Sequence, residues 1–304
     1  LLVRGFTFVS HYSINMANYQ RFESENFFKR TDGSKDRFPS IMDEESVDLS
    51  IIVPSYNEEE RLPVMMNETI DYLEEKCKKS SSYKYEIIVV DDGSTDATTD
   101  VALGFSKTYG DSKIRVLTLE KNRGKGGAVR LGMLSARGKY LLMADADGAT
   151  KFADIQKVEN KLEEIDSKPH GRALVVGSRA HLEKDSIASR SIFRTFLMKG
   201  FHLIVWLLCV RSVKDSQCGF KIFTRNAARI LFTNLHVEKW AFDVELLYIA
   251  EDLNIPIAEA AVRWTEIDGS KIVPVFSWIQ MGKDIILIWV HYYFGLWTIK
   301  RNLD

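Results

Sequence analysis

The sequence has too few cysteines to be built on them. Cys77, Cys209 and Cys218 are the only three in 304 residues, and no CxxC pair occurs. That excludes a disulfide framework and a zinc cage and points to a reducing compartment. A basic surplus is missing too. Lys+Arg 41 against Asp+Glu 42 leaves a formal net charge of −1, which excludes a general nucleic-acid binder. No apolar run reaches the roughly 20 residues that a membrane-spanning helix needs. Residues 1–14 are short and polar, 201–210 is about half that length, and 285–299 is interrupted by His291. No signal-peptide pattern is present. The first residue is Leu1 rather than Met, so an upstream anchor stays open. No G-x-G-x-x-G follows the first strand-like run and no G-x-x-x-x-G-K-[ST] occurs, which argues against a Rossmann dehydrogenase and a P-loop enzyme.

What is present is enough apolar material, 45% of residues, for one large α/β domain or two small ones. Residues 1–46 are polar and read as an irregular extension wrapping the domain edge. From 47 the pattern becomes regular. Short apolar runs at 49–53, 86–90, 114–119 and 140–144 read as buried strands. Between them, 62–77, a stretch opened by Gly93-Ser94-Thr95-Asp96 and ending near Tyr109, and 125–136 read as helices. This βαβ series predicts a mostly parallel sheet with helices on both faces. The second half is less regular. Strands are expected at 173–177, 220–223 and 257–264, and helices at 189–210 and 243–252, while 276–299 is a long, aromatic, mostly apolar segment. A glycosylation sequon, Asn67-Glu68-Thr69, falls inside a predicted helix and reads as a chance match.

In such sheets ligands bind at the carboxyl ends of the strands, and polar clusters stand at four of them. Asp145-Ala146-Asp147 follows the fourth strand. Two acids at i and i+2 suit one hard cation such as Mg²⁺ or Mn²⁺, completed by water and substrate oxygens; a solvated turn or helix cap is the plain alternative. Asp91-Asp92-Gly93-Ser94 follows the second strand. Turn chemistry explains Gly93 and Ser94, but two adjacent acids repel without a ligand or counter-charge, so they suit a base N–H or a ribose hydroxyl. After the first strand, Pro54-Ser55-Tyr56-Asn57-Glu58 offers Tyr56 for base stacking and Glu58 for a sugar hydroxyl. Asn122-Arg123-Gly124-Lys125-Gly126-Gly127 opens a helix and suits a phosphate or ribose, or only close packing. Arg179, Arg190 and Arg194 are placed to grip a phosphate, with surface salt bridging as the alternative.

The order Pro54…Asn57-Glu58, Asp91-Asp92-Gly93-Ser94-Thr95-Asp96, Asn122…Gly124-Lys125-Gly126, Asp145-Ala146-Asp147, Asp215…Gln217-Cys218-Gly219-Phe220-Lys221 and Trp240-Ala241-Phe242-Asp243-Val244-Glu245 resembles the inverting GT-A-fold glycosyltransferases that make dolichyl-phosphate sugars. The resemblance runs from about 48 to 300 and is nearest to their glucosyl branch, through Gly177-Ser178-Arg179-Ala180-His181-Leu182-Glu183-Lys184 and Ile255-Pro256-Ile257-Ala258-Glu259. It implies a GT-A (Rossmann-like) domain over 47–270, with UDP-glucose as donor and dolichyl phosphate as acceptor. The product would be dolichyl β-glucosyl phosphate for N-glycan assembly, made on the cytosolic face of the endoplasmic reticulum membrane. Pro54, Tyr56, Asn57, Glu58, Asp91, Asp92, Lys125, Asp145, Ala146 and Gln217 would then hold the donor. Asp145 and Asp147 would hold Mg²⁺ or Mn²⁺. Asp147, Arg179, Lys221 and Asp243 would form the catalytic set, with Glu245 beside them, and Arg179, Arg190 and Arg194 would meet the acceptor phosphate. The aromatic segment 271–304 is expected to carry interfacial, membrane-associated helices, with a buried helix as the alternative. A GDP-mannose or other polyprenyl-phosphate transferase and a non-catalytic nucleotide-binding membrane scaffold are the rival readings. No nucleic-acid partner is expected, and the oligomeric state is left open.

Overall fold

The computed structural model describes residues 21–166, 171–182, 200, 205–267 and 274–302. Its centre is β3 (Val47–Ser55), in which Ile51, Ile52 and Val53 are wholly buried. Beside it lies β4 (Tyr85–Asp91), buried along its whole length. Runs that are apolar throughout, rather than alternating, belong to strands covered on both faces. β5 (Ile114–Thr118) and β6 (Gly138–Ala144) complete the parallel part. β7 (Leu174–Ser178), β8 (Phe220–Thr224) and β9 (Ile257–Ala261) extend the sheet to the order β5-β4-β3-β6-β8-β7-β9. β8 runs antiparallel to both β6 and β7, and every other pairing is parallel.

The helices that cover the sheet have clear local causes. α1 (Leu62–Lys79) carries Pro63 in its first turn, where no N–H partner is needed, and Lys76, Lys78 and Lys79 in its last, where cations meet the dipole. It buries Leu62, Met65, Met66, Ile70 and Leu73. α2 (Thr98–Tyr109) packs on β5, and α3 (Lys125–Leu134) packs on β3 and β4. α4 (Ile155–Ile165) lies on β7, β8 and β9. α5 (Arg225–Asn234) is capped by the Thr224 hydroxyl, which accepts from the Ala227 N–H. α6 (Phe242–Asp252) follows, and α7 (Pro274–Tyr293) ends the described chain with a short tail.

The chain builds outward from β3 to β4 and β5, then returns to place β6 on the other side of β3. The switch point therefore lies between β3 and β6, and a ligand crevice opens at their carboxyl ends.

Two expectations need correction. The stretch before β3 is not irregular from residue 21 on. It forms a short 3₁₀ turn (Glu23–Asn26) and an antiparallel hairpin of β1 (Phe27–Lys29) and β2 (Lys35–Arg37). Phe28, Phe38 and Ile41 bury themselves in the main core, which polar composition concealed. The strand expected over 257–264 stops at Ala261, and Trp264 makes only an isolated bridge with Thr150. In the aromatic segment 276–299 the helix ends at Tyr293, where Gly295 turns the chain at φ +67°. Helices α4 and α5 had no place in the sequence reading. Most of the helix expected over 189–210, with Arg190 and Arg194, lies outside the described residues.

Candidate functional site

At the carboxyl end of β4 the two adjacent acids are held without any counter-ion. Asp91 accepts from the Ser94 N–H at 2.9 Å and from the Thr99 hydroxyl. Asp92 accepts from the Arg123 N–H at 2.7 Å and the Gly124 N–H at 2.8 Å. Backbone N–H and hydroxyl donors thus hold both carboxylates in place. Burial pushes the Asp92 carboxyl up to about 6, against those two N–H bonds. Gly124 sits at φ +90°, a conformation costly for any other residue. It delivers its N–H to Asp92 and starts α3.

The β3 loop is equally tied. Asn57, at φ +53°, donates its N–H to the Ser94 hydroxyl and accepts from the Thr95 N–H. Glu58 holds Arg61 through both oxygens, at 2.6 and 2.7 Å, so its carboxylate is already engaged with a cation rather than presented alone to a hydroxyl. Pro54 lies beyond Ile52, the last residue paired with β6. Tyr56 beside it is exposed.

At the end of β6 the arrangement changes. The Asp145 carboxylate lies over Gly219, where an added Cβ would fall 1.9 Å from Oδ2. Only glycine permits that approach. Asp145 Oδ1 meets Lys125 Nζ at 2.6 Å. Burial disfavours the Lys125 charge, but Asp145 and Asp243 outweigh it and hold the ammonium above its ordinary value. Asp147 accepts from the Ala149 N–H at 3.0 Å. Burial, and next the like charge of Asp145, raises its carboxyl above the usual range. Ala146 between them is buried. The α3 glycines serve packing: Gly126 abuts Phe242 and the Val237 carbonyl, and the Gly127 N–H already donates to the Glu238 carbonyl at 2.9 Å.

β8 brings up the remaining charges. Lys221 Nζ donates to Asp243 Oδ1 and to the Cys218 carbonyl, each at 2.6 Å. The Lys221 and Asp243 side chains are 0% and 3% exposed. This buried pair lies close to the Asp145 cluster, since Asp243 also acts on the Lys125 charge. Arg179 grips Asp215 through Nε at 2.7 Å and Nη2 at 2.8 Å, and its guanidinium lies over the Trp264 ring. Asp215 overcomes the burial penalty and holds Arg179 more firmly protonated, while Arg179 holds Asp215 below the usual carboxylate range. The Gln217 Nε2 is buried and meets no acceptor among the described residues. Leaving such a donor without an acceptor costs about 1–3 kcal/mol.

Glu245, grouped with the pocket from sequence, is elsewhere. It is wholly buried, accepts from the His236 and Val237 N–H groups, and takes the Tyr292 hydroxyl at 2.8 Å. The residues overlooked are Asp215 and Trp264, which orient Arg179, and Trp240, whose ring lies beside Lys125. Asp215 and Trp240 stood in the motif run, but their partners are distant in sequence. Among the described residues, no three His, Cys, Asp or Glu side chains gather as a metal cage. Asp145 and Asp147 are thus a pair of hard oxygen donors without a third.

The chain is similar to proteins of known activity. Glycosyl transferase family 2 matches residues 50–231. The dolichyl-phosphate beta-glucosyltransferase of Mus musculus is 58% identical over 280 residues, covering 92% of this chain and 86% of the relative. That of Drosophila melanogaster is 61% identical, covering 86% and 80%. That of Saccharomyces cerevisiae is 42% identical, covering 86% and 79%. Among solved structures, glucosyl-3-phosphoglycerate synthase from Mycobacterium tuberculosis, in complex with Mn²⁺, uridine-diphosphate-glucose and phosphoglyceric acid, aligns with TM-score 0.52. It shares 17% identity and covers 81% of this chain and 79% of its own; that likeness is one of fold, the GT-A fold. The chain belongs to glycosyl transferase family 2 and is a glycosyltransferase of the dolichyl-phosphate β-glucosyltransferase group.

Proposed function

We propose that the chain transfers glucose from UDP-glucose to dolichyl phosphate with inversion at C1. The product, dolichyl β-D-glucosyl phosphate, would serve N-glycan assembly on the cytosolic face of the endoplasmic reticulum membrane. The observation that carries this reading is the meeting of Asp145, Asp147 and Lys125 at the carboxyl end of β6, with Arg179 just past β7, in a chain so similar to the dolichyl-phosphate enzymes.

The base and ribose fit the β3–β4 side, where Pro54, Tyr56, Asn57, Glu58, Asp91 and Asp92 form a polar rim. Asp145 and Asp147 fit a Mg²⁺ or Mn²⁺ ion: their oxygens are hard ligands, and their mutual repulsion is of the kind a divalent cation neutralises. Two carboxylates leave the other positions for substrate oxygens. When bound there, the ion would stabilise the departing diphosphate. Lys125, 2.6 Å from Asp145, is placed to hold a diphosphate oxygen. Gln217 brings its unsatisfied amide to the sugar or diphosphate, and Lys221 with Asp243 keeps the β8 wall in place beneath.

The acceptor is a phosphate monoester with a second pKa of about 6, hence largely ionised at neutral pH. It attacks as an anion and needs a cationic seat more than a base. Arg179, fixed by Asp215 and Trp264, supplies that seat; Arg190 and Arg194 are the further candidates. The acceptor's lipid requires a bilayer. No helix among the described residues is long and apolar enough to cross one. Trp206 and Leu207 are exposed, as are Ile286, Tyr293, Phe294 and Leu296. Cys209 Sγ reaches the Ile285 carbonyl at 3.8 Å, which sets the two segments side by side. Such a surface suits the headgroup region.

The test is UDP release with Mn²⁺ or Mg²⁺, with UDP-glucose and GDP-mannose offered separately, with and without a polyprenyl phosphate. Release from UDP-glucose that needs both metal and lipid phosphate is expected. Release from GDP-mannose alone, or from UDP-glucose regardless of the lipid, would overturn the donor or acceptor assignment.

A further inference from the structure

The segment ahead of the family-2 match carries a buried acid with no evident business at a domain edge. Glu25 is wholly buried in the 3₁₀ turn before β1. Its carboxylate accepts from the Phe22 N–H at 3.0 Å and the Glu120 N–H at 3.2 Å. It also pairs with Arg123 Nη2 at 3.1 Å. The Phe22 ring lies 5.3 Å from both the Arg123 guanidinium and the Lys121 ammonium. Arg123 is itself buried, and its other side faces Glu238 at 3.7 Å. The Arg123 guanidinium is therefore turned inward.

What Arg123 governs is the loop that makes the donor site. Its own N–H and that of Gly124 are the two donors that hold Asp92. The Asn122 amide holds the Asp92 carbonyl at 3.0 Å. One residue further on, Lys125 reaches Asp145. A continuous line of contacts thus runs from Glu25 through Arg123 and Gly124 to Asp92 on one branch, and to Lys125 and Asp145 on the other. Arg123 also joins this loop to Glu238, whose carbonyl receives the Gly127 N–H.

We propose that Glu25 is a positioning residue for nucleotide-donor binding: through Arg123 it fixes the 119–125 loop, so that residues outside the family-2 region complete the donor site. The energetic logic is that of a buried charge pair. Its net contribution to stability is modest, because desolvation offsets attraction, but it specifies one geometry. Outer partners that orient contacting groups typically change affinity or activity by about 10–100-fold when removed.

The inference rests on the donor reading above, so the experiment carries one readout that does not need the donor. In the full chain, Glu25→Gln and Glu25→Asp are compared with wild type by hydrogen exchange at 119–125, by UDP binding with Mn²⁺, and by melting temperature. The expected result is faster exchange at the Arg123 and Gly124 amides and about tenfold weaker UDP binding in Glu25→Gln. Glu25→Asp should fall between, with acceptor KM unchanged. If Glu25→Gln does not fold, the double variant Glu25→Gln/Arg123→Gln, which removes both charges, is read in the same way. Exchange and UDP affinity equal to wild type in a folded variant overturn the inference. So does a lowered melting temperature with no local change, which is the mark of a merely structural acid. A wild type that binds no UDP defeats the donor reading, while the exchange pattern still decides whether Glu25 holds the loop.

Discussion

Most acids on the two sides of β3 are held by different means, with Glu58, gripped by Arg61, and Asp147, held by the Ala149 N–H, as the exceptions. On the β4 side Asp91 and Asp92 are bound by backbone N–H groups and a hydroxyl. On the β6–β8 side Asp145, Asp215 and Asp243 are each bound by a cation, Lys125, Arg179 and Lys221. Neutral donors fix a carboxylate without changing the local charge, which suits an uncharged ligand surface such as a base and ribose. Cation-held carboxylates form a balanced charge array that incoming charge can reorder. A diphosphate, a divalent ion and a phosphate acceptor are all ligands of that second kind. The asymmetry of the proposed reaction, neutral at the base and highly charged at the sugar, is thus drawn in the donors around each acid.

Variants sharpen this contrast. The largest effect is expected at Asp147. Asp147→Ala should lower kcat by about a thousandfold or more, the scale of losing a charge-stabilising element, with little change in melting temperature. Near-normal turnover would break the assignment. Next is Lys221→Met, which leaves Asp243 buried without its cation and should cost about 3–5 kcal/mol of stability by denaturant titration. Lys221→Met/Asp243→Leu should recover much of it; a single variant as stable as wild type would show that the pair does not hold the wall.

A smaller effect is expected from Arg179→Lys, which keeps the charge but loses the fork on Asp215. The kcat/KM for the acceptor should drop about tenfold or more, the worth of one charge-assisted hydrogen bond, mainly through acceptor KM. A change confined to donor KM would move Arg179 out of the acceptor seat. The smallest effect concerns Asp92, raised from 3.8 to about 6. The folded chain keeps this proton over a range where the unfolded chain has released it. Asp92 therefore favours folding at low pH, and its contribution is lost as pH rises from about 4 to about 6, then stays constant. Melting curves of wild type should fall more steeply across that window than those of Asp92→Asn; parallel curves would contradict the shift.

The sheet was legible in the sequence because its strands are continuous apolar runs. The strand-end clusters were legible because a parallel sheet gathers such ends on one edge, so Asp91, Asn122 and Asp145 needed no distance information. What the sequence hid were partners. The acids at 91 and 92 looked frustrated because their donors lie at 94, 99, 123 and 124. Lys221 gave no hint that it donates to the Cys218 carbonyl and the Asp243 carboxylate, because these meet it only in the fold. Glu25 was invisible, since a buried acid within a polar stretch reads like any solvated one. Helices α4 and α5 were legible but overlooked: Ile155, Val158 and Leu162 keep helical spacing, as do Ala227, Ile230 and Leu231.

The central claim is that Asp145 and Asp147 hold a divalent ion that joins nucleotide diphosphate to protein. Calorimetry of UDP binding, with and without Mn²⁺, to wild type and to Asp147→Asn tests it most directly. The account predicts that Mn²⁺ tightens binding to wild type and that Asp147→Asn loses this increment while keeping the metal-free affinity. An Asp147→Asn variant that keeps the full Mn²⁺ increment would contradict it.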